Sequence, residues 1–286
     1  MSNDVGSTNE SHDPTSSFAV QRVERFSSNE SISAVVSTRS GNVTVRASTN
    51  GEISVTLGTN KSDGAELLDQ ARVHFDGRRH TLEIDTLPHG SGRSGGGLRA
   101  AMRGEWFTGS SGDLDVIVTM PEGSDLQVAT ASGDTMVGLS LGAVKVSSAS
   151  GDVVALDTFD ALDVRTASGD VCAGRVLSRL SFKTASGDLT VAHAASKTDI
   201  ASASGDVEIT AAVPGKLAVN SASGDVLVHV APGLAVDVAG NTLSGRLGSE
   251  IDLSSDGAGD VDDDDQVSYI KVNTVSGDIT IDRARL

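Results

Sequence analysis

The six residues Ser148 to Val153 read SASGDV, and close variants of this phrase recur through the second half of the chain. The serine before the glycine stands at positions 132, 150, 168, 186, 204 and 223, so four steps of 18 residues are followed by one of 19. A further copy runs from Thr274 to Ile279. A fixed period of this kind is typical of stacked-coil proteins, in which one repeat cannot bury its apolar side alone.

Each repeat predicts two short strands. Before the phrase, apolar residues such as Leu162 and Val164 alternate with polar ones such as Asp163, which indicates a strand with one buried face. A Thr or Ser stands two residues before the serine in every copy, and after the turn Val171 and Ala173 begin a second strand. A further apolar position recurs nine residues after the serine, at Leu141, Phe159, Leu177, Ala195 and Val213.

This pattern predicts an all-β fold, a right-handed single-stranded parallel β-solenoid (β-helix) with coils of about 18 residues. Glycine supplies backbone angles at the corner that a side chain would resist, while Ser and Asp bond nearby backbone groups. The aspartates of the phrase should therefore form a column at one corner, moderated by solvent and by backbone hydrogen bonds. They are Asp134, Asp152, Asp170, Asp188, Asp206 and Asp225.

Composition fits thin coils in a soluble protein. The 286 residues include 32 glycines and only 3% aromatic residues, and the net charge is −17. This charge argues against nucleic acid and anionic membrane surfaces as partners, because both would repel the chain. The single cysteine, Cys172, excludes an intramolecular disulfide, and the alternation places it on the outward side of its strand as an incidental residue.

The chain is expected to form one domain after a short tail. Residues 1–17 are rich in Ser, Asn, Asp and Thr and predict a disordered tail, whereas residues 18–286 predict a single solenoid domain. The start has no basic segment followed by an apolar one, and no stretch is long enough to cross a membrane. We therefore expect a cytoplasmic protein without direct membrane insertion.

The N-terminal part of the domain repeats the pattern with variations. Residues 34–45 reproduce the phrase with Asn42 in place of the aspartate, so the solenoid should begin near residue 32. Short strands are expected at 18–20, 23–26, 52–57, 73–75, 81–84 and 114–120. Between them, residues 63–71 predict a short helix with Asp63 as N-cap and with Ala65, Leu68 and Ala71 on one face.

Two interruptions carry unusual composition. Residues 89–104 are rich in Gly, Ser and Arg but lack a phosphate-binding motif, so they predict a surface loop. Trp106 and Phe107, which follow, are expected to cover the core. Residues 254–265 form an acidic insertion ending in four aspartates, Asp262 to Asp265. Because they lack the ligand order of an EF-hand, they predict a solvated loop at the solenoid surface.

The alternation and the S-G-D-[VIL] phrase resemble a bacterial family of β-strand-repeat proteins of unknown function, often labelled "putative adhesins". The resemblance covers most of residues 18–286 and includes the early Ser40 to Val45, the helix before Arg72, and the strand that ends at Met120. It implies a right-handed single-stranded β-helix without known catalytic residues. The adhesin label implies a role at a surface.

Three functions remain open at this point. The first is a non-enzymatic scaffold that binds a protein or glycan partner, with one-off contacts most expected at residues 89–107 and 246–265. The second is a calcium-dependent β-roll, although the half-coils after the phrase lack the required second Gly/Asp motif. The third, least favoured, is a polysaccharide-active β-helix enzyme. We predict that the protein is not an enzyme, with no catalytic, cofactor-binding or metal-binding residues and no cofactor.

Overall fold

The described part of the chain is mostly β-strand and contains one short helix. The computed structural model describes residues 18–28, 30–61, 64–87, 114–212, 214–232, 234–249 and 267–283. The all-β class predicted from the alternation is confirmed.

The first nine strands belong to the N-terminal part, which also contains the only helix of the described residues. They are β1 (Val20–Ser27), β2 (Ser33–Ser37), β3 (Val43–Ala47), β4 (Glu52–Thr59), β5 (Arg72–Asp76), β6 (Thr81–Asp85), β7 (Asp115–Met120), β8 (Asp125–Ala129) and β9 (Thr135–Gly138), with α1 (Gly64–Gln70) between β4 and β5. The two strands expected at 18–20 and 23–26 are one continuous strand, β1.

The remaining twelve strands carry the repeats. They are β10 (Leu141–Ser147), β11 (Val153–Arg165), β12 (Val171–Thr184), β13 (Leu189–His193), β14 (Lys197–Ser204), β15 (Val207–Ala212), β16 (Gly215–Ser223), β17 (Val226–Val230), β18 (Ala235–Ser244), β19 (Leu247–Ser249), β20 (Val267–Ser276) and β21 (Ile279–Arg283).

Strands of successive repeats pair in parallel and in register. Leu162 of β11 lies beside Leu180 of β12, and Val153 of β11 lies beside Val171 of β12, so both pairs of neighbours are 18 residues apart. One stack of strands contains the segments before the corner phrase, and a second stack contains those after it. We call one strand from each stack, at the same level, a layer. The long strands β11 and β12 belong to both stacks.

The N-terminal end of the sheet is antiparallel, so the prediction of a parallel sheet throughout is wrong there. β4 pairs antiparallel with both β1 and β7, and β5 pairs antiparallel with β6. β5 and β6 are joined by a tight turn at residues 77–80. A connection this short can join only antiparallel strands, because a parallel pair needs a crossover of a dozen residues or more.

The order of layers differs from the order of the sequence at both ends. The layer of β2 and β3 lies between the strands β6 and β7 on one side and β8 and β9 on the other. Likewise, the last layer in sequence, β20 and β21, lies between the layer of β16 and β17 and the layer of β18 and β19. The expectation that consecutive coils always stack on one another is therefore wrong at these two places.

The core is a thin stack of aliphatic side chains between the two strand stacks. Val164 and Phe182 are fully buried in adjacent layers, as the alternation predicts, and Lys183 next to Phe182 is exposed. One apolar position behaves differently, since Leu177 is 52% exposed while Val176 takes its place in the core beside Phe159. A β-bulge between β11 and β12 shifts the register by one residue, which reverses the face that each side chain occupies.

The helix closes the N-terminal end of the stack. α1 confirms the predicted helix, although Ala65 is exposed and the proposed N-cap, Asp63, lies outside the described residues. Leu68 and Ala71 are buried against the core. The Arg22 guanidinium donates to the carbonyl oxygens of Leu68 at 2.6 Å and Ala71 at 3.0 Å, which satisfies carbonyls at the end of the helix.

Several predictions concern residues that the structure does not describe. The tail at 1–17, the loop at 89–104 with Trp106 and Phe107, and the acidic insertion at 254–265 all lie outside the described residues. Within the described ranges, no helix has the length and apolar character needed to cross a membrane.

Candidate functional site

At four successive corners, those of Gly133, Gly151, Gly169 and Gly187, the hydroxyl residue before the glycine accepts a hydrogen bond from the glycine N–H. The Oγ1 atom of Thr166 accepts a hydrogen bond from the Gly169 N–H at 2.8 Å, and Ser148 binds the Gly151 N–H in the same way. Both hydroxyl residues are buried, so this bond satisfies polar groups that solvent cannot reach. At later corners this bond is absent: Ser202 Oγ and Thr274 Oγ1 are buried without a hydrogen-bond partner, and the Gly205 N–H donates to the carbonyl oxygen of Ser223 instead.

Glycine is required at this corner because the layers approach closely. A Cβ atom built on Gly169 would lie 2.0 Å from the carbonyl oxygen of Gly151 in the next layer, and Gly151 meets Gly133 in the same way. The sequence suggested a different reason for glycine, namely backbone angles that a side chain would resist. Such angles occur only at later corners of the repeat, for example at Gly205 with a φ of 141°. Close contact between backbones is therefore the more general reason for the conserved position within the repeat.

The aspartates form the predicted column and bind the backbone of the adjacent layer. The Asp152 N–H donates to Oδ1 of Asp134 at 3.0 Å, and the Asp170 N–H donates to Oδ1 of Asp152 at 2.9 Å. The same contact joins the following pairs: Asp188 to Asp170, Asp206 to Asp188, Asp225 to Asp206 and Asp278 to Asp225. We call this series the aspartate ladder.

The two ends of the aspartate ladder use other residues. At one end, Asp115 accepts from the Asn42 N–H, and the Asn42 side chain accepts from the Asp134 N–H. At the other end, the Arg246 N–H donates to Asp278. Asn42 thus replaces an aspartate because its amide oxygen can accept the same bond, whereas the Arg246 side chain has no acceptor to offer a further layer.

Backbone hydrogen bonds explain how like charges can be stacked at this spacing. Two carboxylates about 4.8 Å apart repel by roughly 1 kcal/mol in water, and these side chains are exposed. A hydrogen bond to a charged group contributes about 1.5–3 kcal/mol, which offsets the repulsion. The expectation that backbone bonds moderate the column is confirmed. Among the described residues there is no group of three or more His, Cys, Asp or Glu side chains arranged to hold a metal ion.

Replacing one carboxylate of the ladder separates its charge from its role as an acceptor. Asp170→Ala removes the acceptor for the Asp188 N–H and is expected to lower the free energy of unfolding by about 1 kcal/mol. Asp170→Asn keeps an acceptor and relieves repulsion, so its stability should equal or exceed that of the wild type. Urea titrations of the two variants measure this difference, and equal losses would show that the acceptor is unimportant.

A column of cations follows the outer face of the first stack. Arg179, Lys197 and Lys216 occupy the same outward position in successive layers, and Tyr269 continues the column. The three cations are exposed, and within the described residues none of them forms an ion pair. We call these four residues the basic column. It concentrates positive charge on one face of a chain whose net charge is −17.

Neighbouring charges on the same face are used differently. Arg165 lies 3.4 Å from Asp163, so this cation is already paired within its own strand. Lys145 is outward-facing in β10, in a column that also contains Asp163. The basic column is therefore distinguished by having three cations in register without an intervening carboxylate.

The second stack presents exposed apolar side chains. Met136 of β9 is 54% exposed and Leu156 of β11 is 64% exposed. Cys172 lies in the same outward column as Met136 and is exposed, which confirms its predicted place on the outward side of its strand. These side chains make the two faces chemically different, since one is basic and the other is partly apolar.

One polar pair was not predicted from the sequence. His229 of β17 and Asp282 of β21 lie side by side, and their Nδ1 and Oδ1 atoms are in contact. The next residue, Arg283, donates hydrogen bonds to the carbonyl oxygens of Ala231 and Leu234. Together these contacts fix the connection after β17. The sequence gives little signal for them, because Asp282 lies 53 residues after His229 and the layer order was not predicted.

The contacts proposed at residues 89–107 and 246–265 are mostly outside the described residues. Only residues 246–249 are described, and there Arg246 ends the aspartate ladder. Outside α1 and the antiparallel N-terminal strands, the exposed surface that the structure describes is formed mainly by the regular columns of the two stacks.

Comparisons with known proteins show a similar fold in solved structures and assign a family. No curated protein matches the chain. A solved structure of a "putative lipid binding protein" from Parabacteroides distasonis is similar with a TM-score of 0.54 and 16% identity, covering 93% of this chain and 98% of that one. A "putative adhesin" from the same species has a TM-score of 0.48 and 12% identity, covering 92% and 97%. At these identities the likeness concerns the fold alone. The model of the Toastrack DUF4097 family matches residues 31–282, and the chain belongs to this family.

Proposed function

We propose that this protein is a non-enzymatic scaffold that binds a protein or glycan partner along the outer face of its strand stacks. Its chain winds as a right-handed solenoid with about 18 residues in each regular coil. The handedness follows from the general preference of parallel β connections. The coil length is supported by register partners such as Leu162 and Leu180.

The observation that carries this proposal is the basic column. Its side chains repeat at the strand spacing of about 4.8 Å, so an extended partner with regularly spaced negative charges can contact several of them together. Tyr269, 40% exposed and in register between Lys216 and Asp237, adds a ring that can pack against a sugar or an apolar side chain. An anionic glycan or an acidic protein segment is the partner that this face fits best.

Binding to the basic column can be tested with charge-reversed variants. We expect the wild type to bind immobilised polygalacturonate more tightly than neutral dextran, and binding should weaken as salt is added. The double variant Lys197→Glu/Lys216→Glu should lose about tenfold or more in affinity, which corresponds to about 1.4 kcal/mol. Lys145→Glu, on the same face in another column, is the matched control.

An acidic protein partner is tested by capture from lysate with the same three proteins. Loss of a captured protein with the double variant but not with Lys145→Glu would assign the face to a protein. The proposal is wrong if the double variant changes neither type of binding. It is also wrong if purified protein cleaves a polysaccharide and a single Asp or His substitution abolishes this activity without unfolding the chain.

Calcium dependence provides a separate test of the aspartate ladder. Because the Oδ1 atoms already accept backbone hydrogen bonds, folding should not require a cation. We expect EDTA to leave the circular-dichroism spectrum and the melting temperature nearly unchanged. A large loss of structure in EDTA that millimolar calcium restores would favour the calcium-dependent β-roll.

A further inference from the structure

Among the described residues, the layer of β18 and β19 forms the C-terminal end of the stack and has a neighbouring layer on one side only. β18 pairs with β20 and β19 pairs with β21, and neither strand has a second partner among the described residues. Val236 and Val238 of β18 face the core but are only partly buried, and all three residues of β19 are exposed. By contrast, Ile270 and Val272 in the adjacent layer are at most 1% exposed.

Exposed apolar side chains concentrate at this end. Eight large apolar residues are exposed in the described part of the chain, and four of them belong to the last two layers. These four are Leu243 (84% exposed), Leu247 (51%), Tyr269 (40%) and Val275 (53%). Tyr269 and Val275 lie in β20, which is paired on both edges, whereas Leu243 and Leu247 lie in the two strands that have one partner among the described residues. Exposed apolar side chains beside such strand edges are typical of an interface.

The N-terminal end is protected in ways that the C-terminal end is not. α1 packs against the core there, and the rings of Phe26 and Phe75 lie 5.3 Å apart across the two outermost strands. The edge strand β1 carries Arg22, Glu24 and Arg25, and charges of this kind prevent strands from adding to an edge. β18 is ten residues long, and Asp237 is its only charged residue. It contains no lysine or proline, and its pairing with β20 has no bulge.

We propose that two copies of this chain associate through their C-terminal layers, with β18 of one copy pairing antiparallel with β18 of the other. This association goes beyond the proposed function, because it uses the end of the stack and leaves the three cations of the basic column, Arg179, Lys197 and Lys216, free. A twofold axis perpendicular to the stack brings the two β18 strands together in opposite directions, so each edge satisfies the other. The pairing covers Val236 and Val238 in both copies.

The same geometry predicts a closed dimer and not a fibre. A fibre needs a second adhesive surface on each copy, and the N-terminal end is covered by α1 and edged by charged strands. Two copies joined at their C-terminal layers present two such protected ends. Growth therefore stops at two.

Sedimentation equilibrium of the full chain at micromolar concentration should give the mass of a dimer. The variants Val236→Lys and Leu247→Lys place a charge at the proposed interface and should shift the equilibrium to monomer. Ala201→Lys, on the exposed outer face of β14 within the stack, is the matched control and should remain dimeric. Two interface variants are used because Val236→Lys could loosen the last strand by itself. Leu247 is half exposed, so Leu247→Lys should leave that strand folded.

Distances between spin labels identify the end that is used. Cys172 is the only cysteine and lies five strand spacings from the last layer, so labels in the two copies should be eleven spacings apart, about 53 Å. In a Cys172→Ser background, a label at Lys271→Cys of β20 should give three spacings, about 14 Å before any lateral offset. A monomeric wild type, a dimer unaffected by both interface variants, or a long distance at position 271 would overturn the proposal.

Discussion

Val164→Asp is expected to destabilise the protein by about 3 kcal/mol or more. Val164 is fully buried and lies between Val146 and Phe182 of the neighbouring layers. An aspartate there would place a charge in the thin core. The inward-facing side chains of these two neighbours are apolar and cannot pair with it. The loss should appear as a lower urea midpoint for unfolding, measured by circular dichroism.

Lys183→Asp is the control for this substitution. Lys183 is exposed and lies next to Phe182 on the opposite face of β12. A surface substitution of this kind usually changes stability by less than about 0.5 kcal/mol. Equal urea midpoints for Val164→Asp and Lys183→Asp would show that the inward and outward faces are assigned incorrectly.

Gly169→Ala should have an effect of similar size from a single added methyl group. The new Cβ atom would lie 2.0 Å from the carbonyl oxygen of Gly151, and backbone atoms cannot move aside without breaking the parallel register. Overpacking against a rigid neighbour costs about 3 kcal/mol at the upper end of the usual range. Urea denaturation of the purified variant measures this cost.

Gly138→Ala serves as the matched control within the same stack. Its Cβ atom would lie 3.7 Å from the nearest atom, the carbonyl oxygen of Val45, which is an ordinary contact. Gly138 is exposed at the end of β9, so we expect a change of less than about 0.5 kcal/mol. If both alanine variants were equally stable, close backbone approach would not be the reason for glycine at the corner.

The repeated part of the fold could be predicted because local signals agree there. Alternation assigns Val164 and Phe182 to the core and Lys183 to the surface, and the fixed period brings equivalent residues of successive repeats side by side. The aspartate column follows from the same period. Its hydrogen-bonding partner could be inferred as backbone, but the period alone did not show that the partner lies in the adjacent layer.

The order of the end layers could not be read from periodicity. Every repeat has the same alternation, so Asn220 can pair with Asn241 or Asn273 without changing which residues face inward. Residues 250–266 between the two candidates are long enough for the chain to pass one layer. One signal was available: Arg246 replaces the aspartate of its phrase, and a layer without this acceptor fits best at the end of the aspartate ladder.

The antiparallel strands at the N-terminal end also escaped the repeat pattern. The sequences of β1 and β4 are typical of strands, but neither contains the Ser-Gly-Asp phrase that marks a corner. No local sequence signal therefore indicates whether they pair parallel or antiparallel. Direction is set by the connections and by the need to cover the end of the core. The basic column was missed although the period carries its signal, because Arg179, Lys197 and Lys216 each stand seven residues before the serine of their phrase and are therefore neighbours in successive layers.

Disulfide formation tests most directly the register and layer order on which the basic column and the C-terminal edge both depend. In a Cys172→Ser background, Asn220→Cys/Asn273→Cys places the two cysteines in adjacent layers, within the Cα separation of about 4.4–6.8 Å that a disulfide requires. Asn220→Cys/Asn241→Cys places them two layers apart, about 9.6 Å, which is too far. The account predicts that mild oxidation closes an intramolecular disulfide in the first variant and leaves two free thiols in the second. A disulfide in the second variant and free thiols in the first would contradict it.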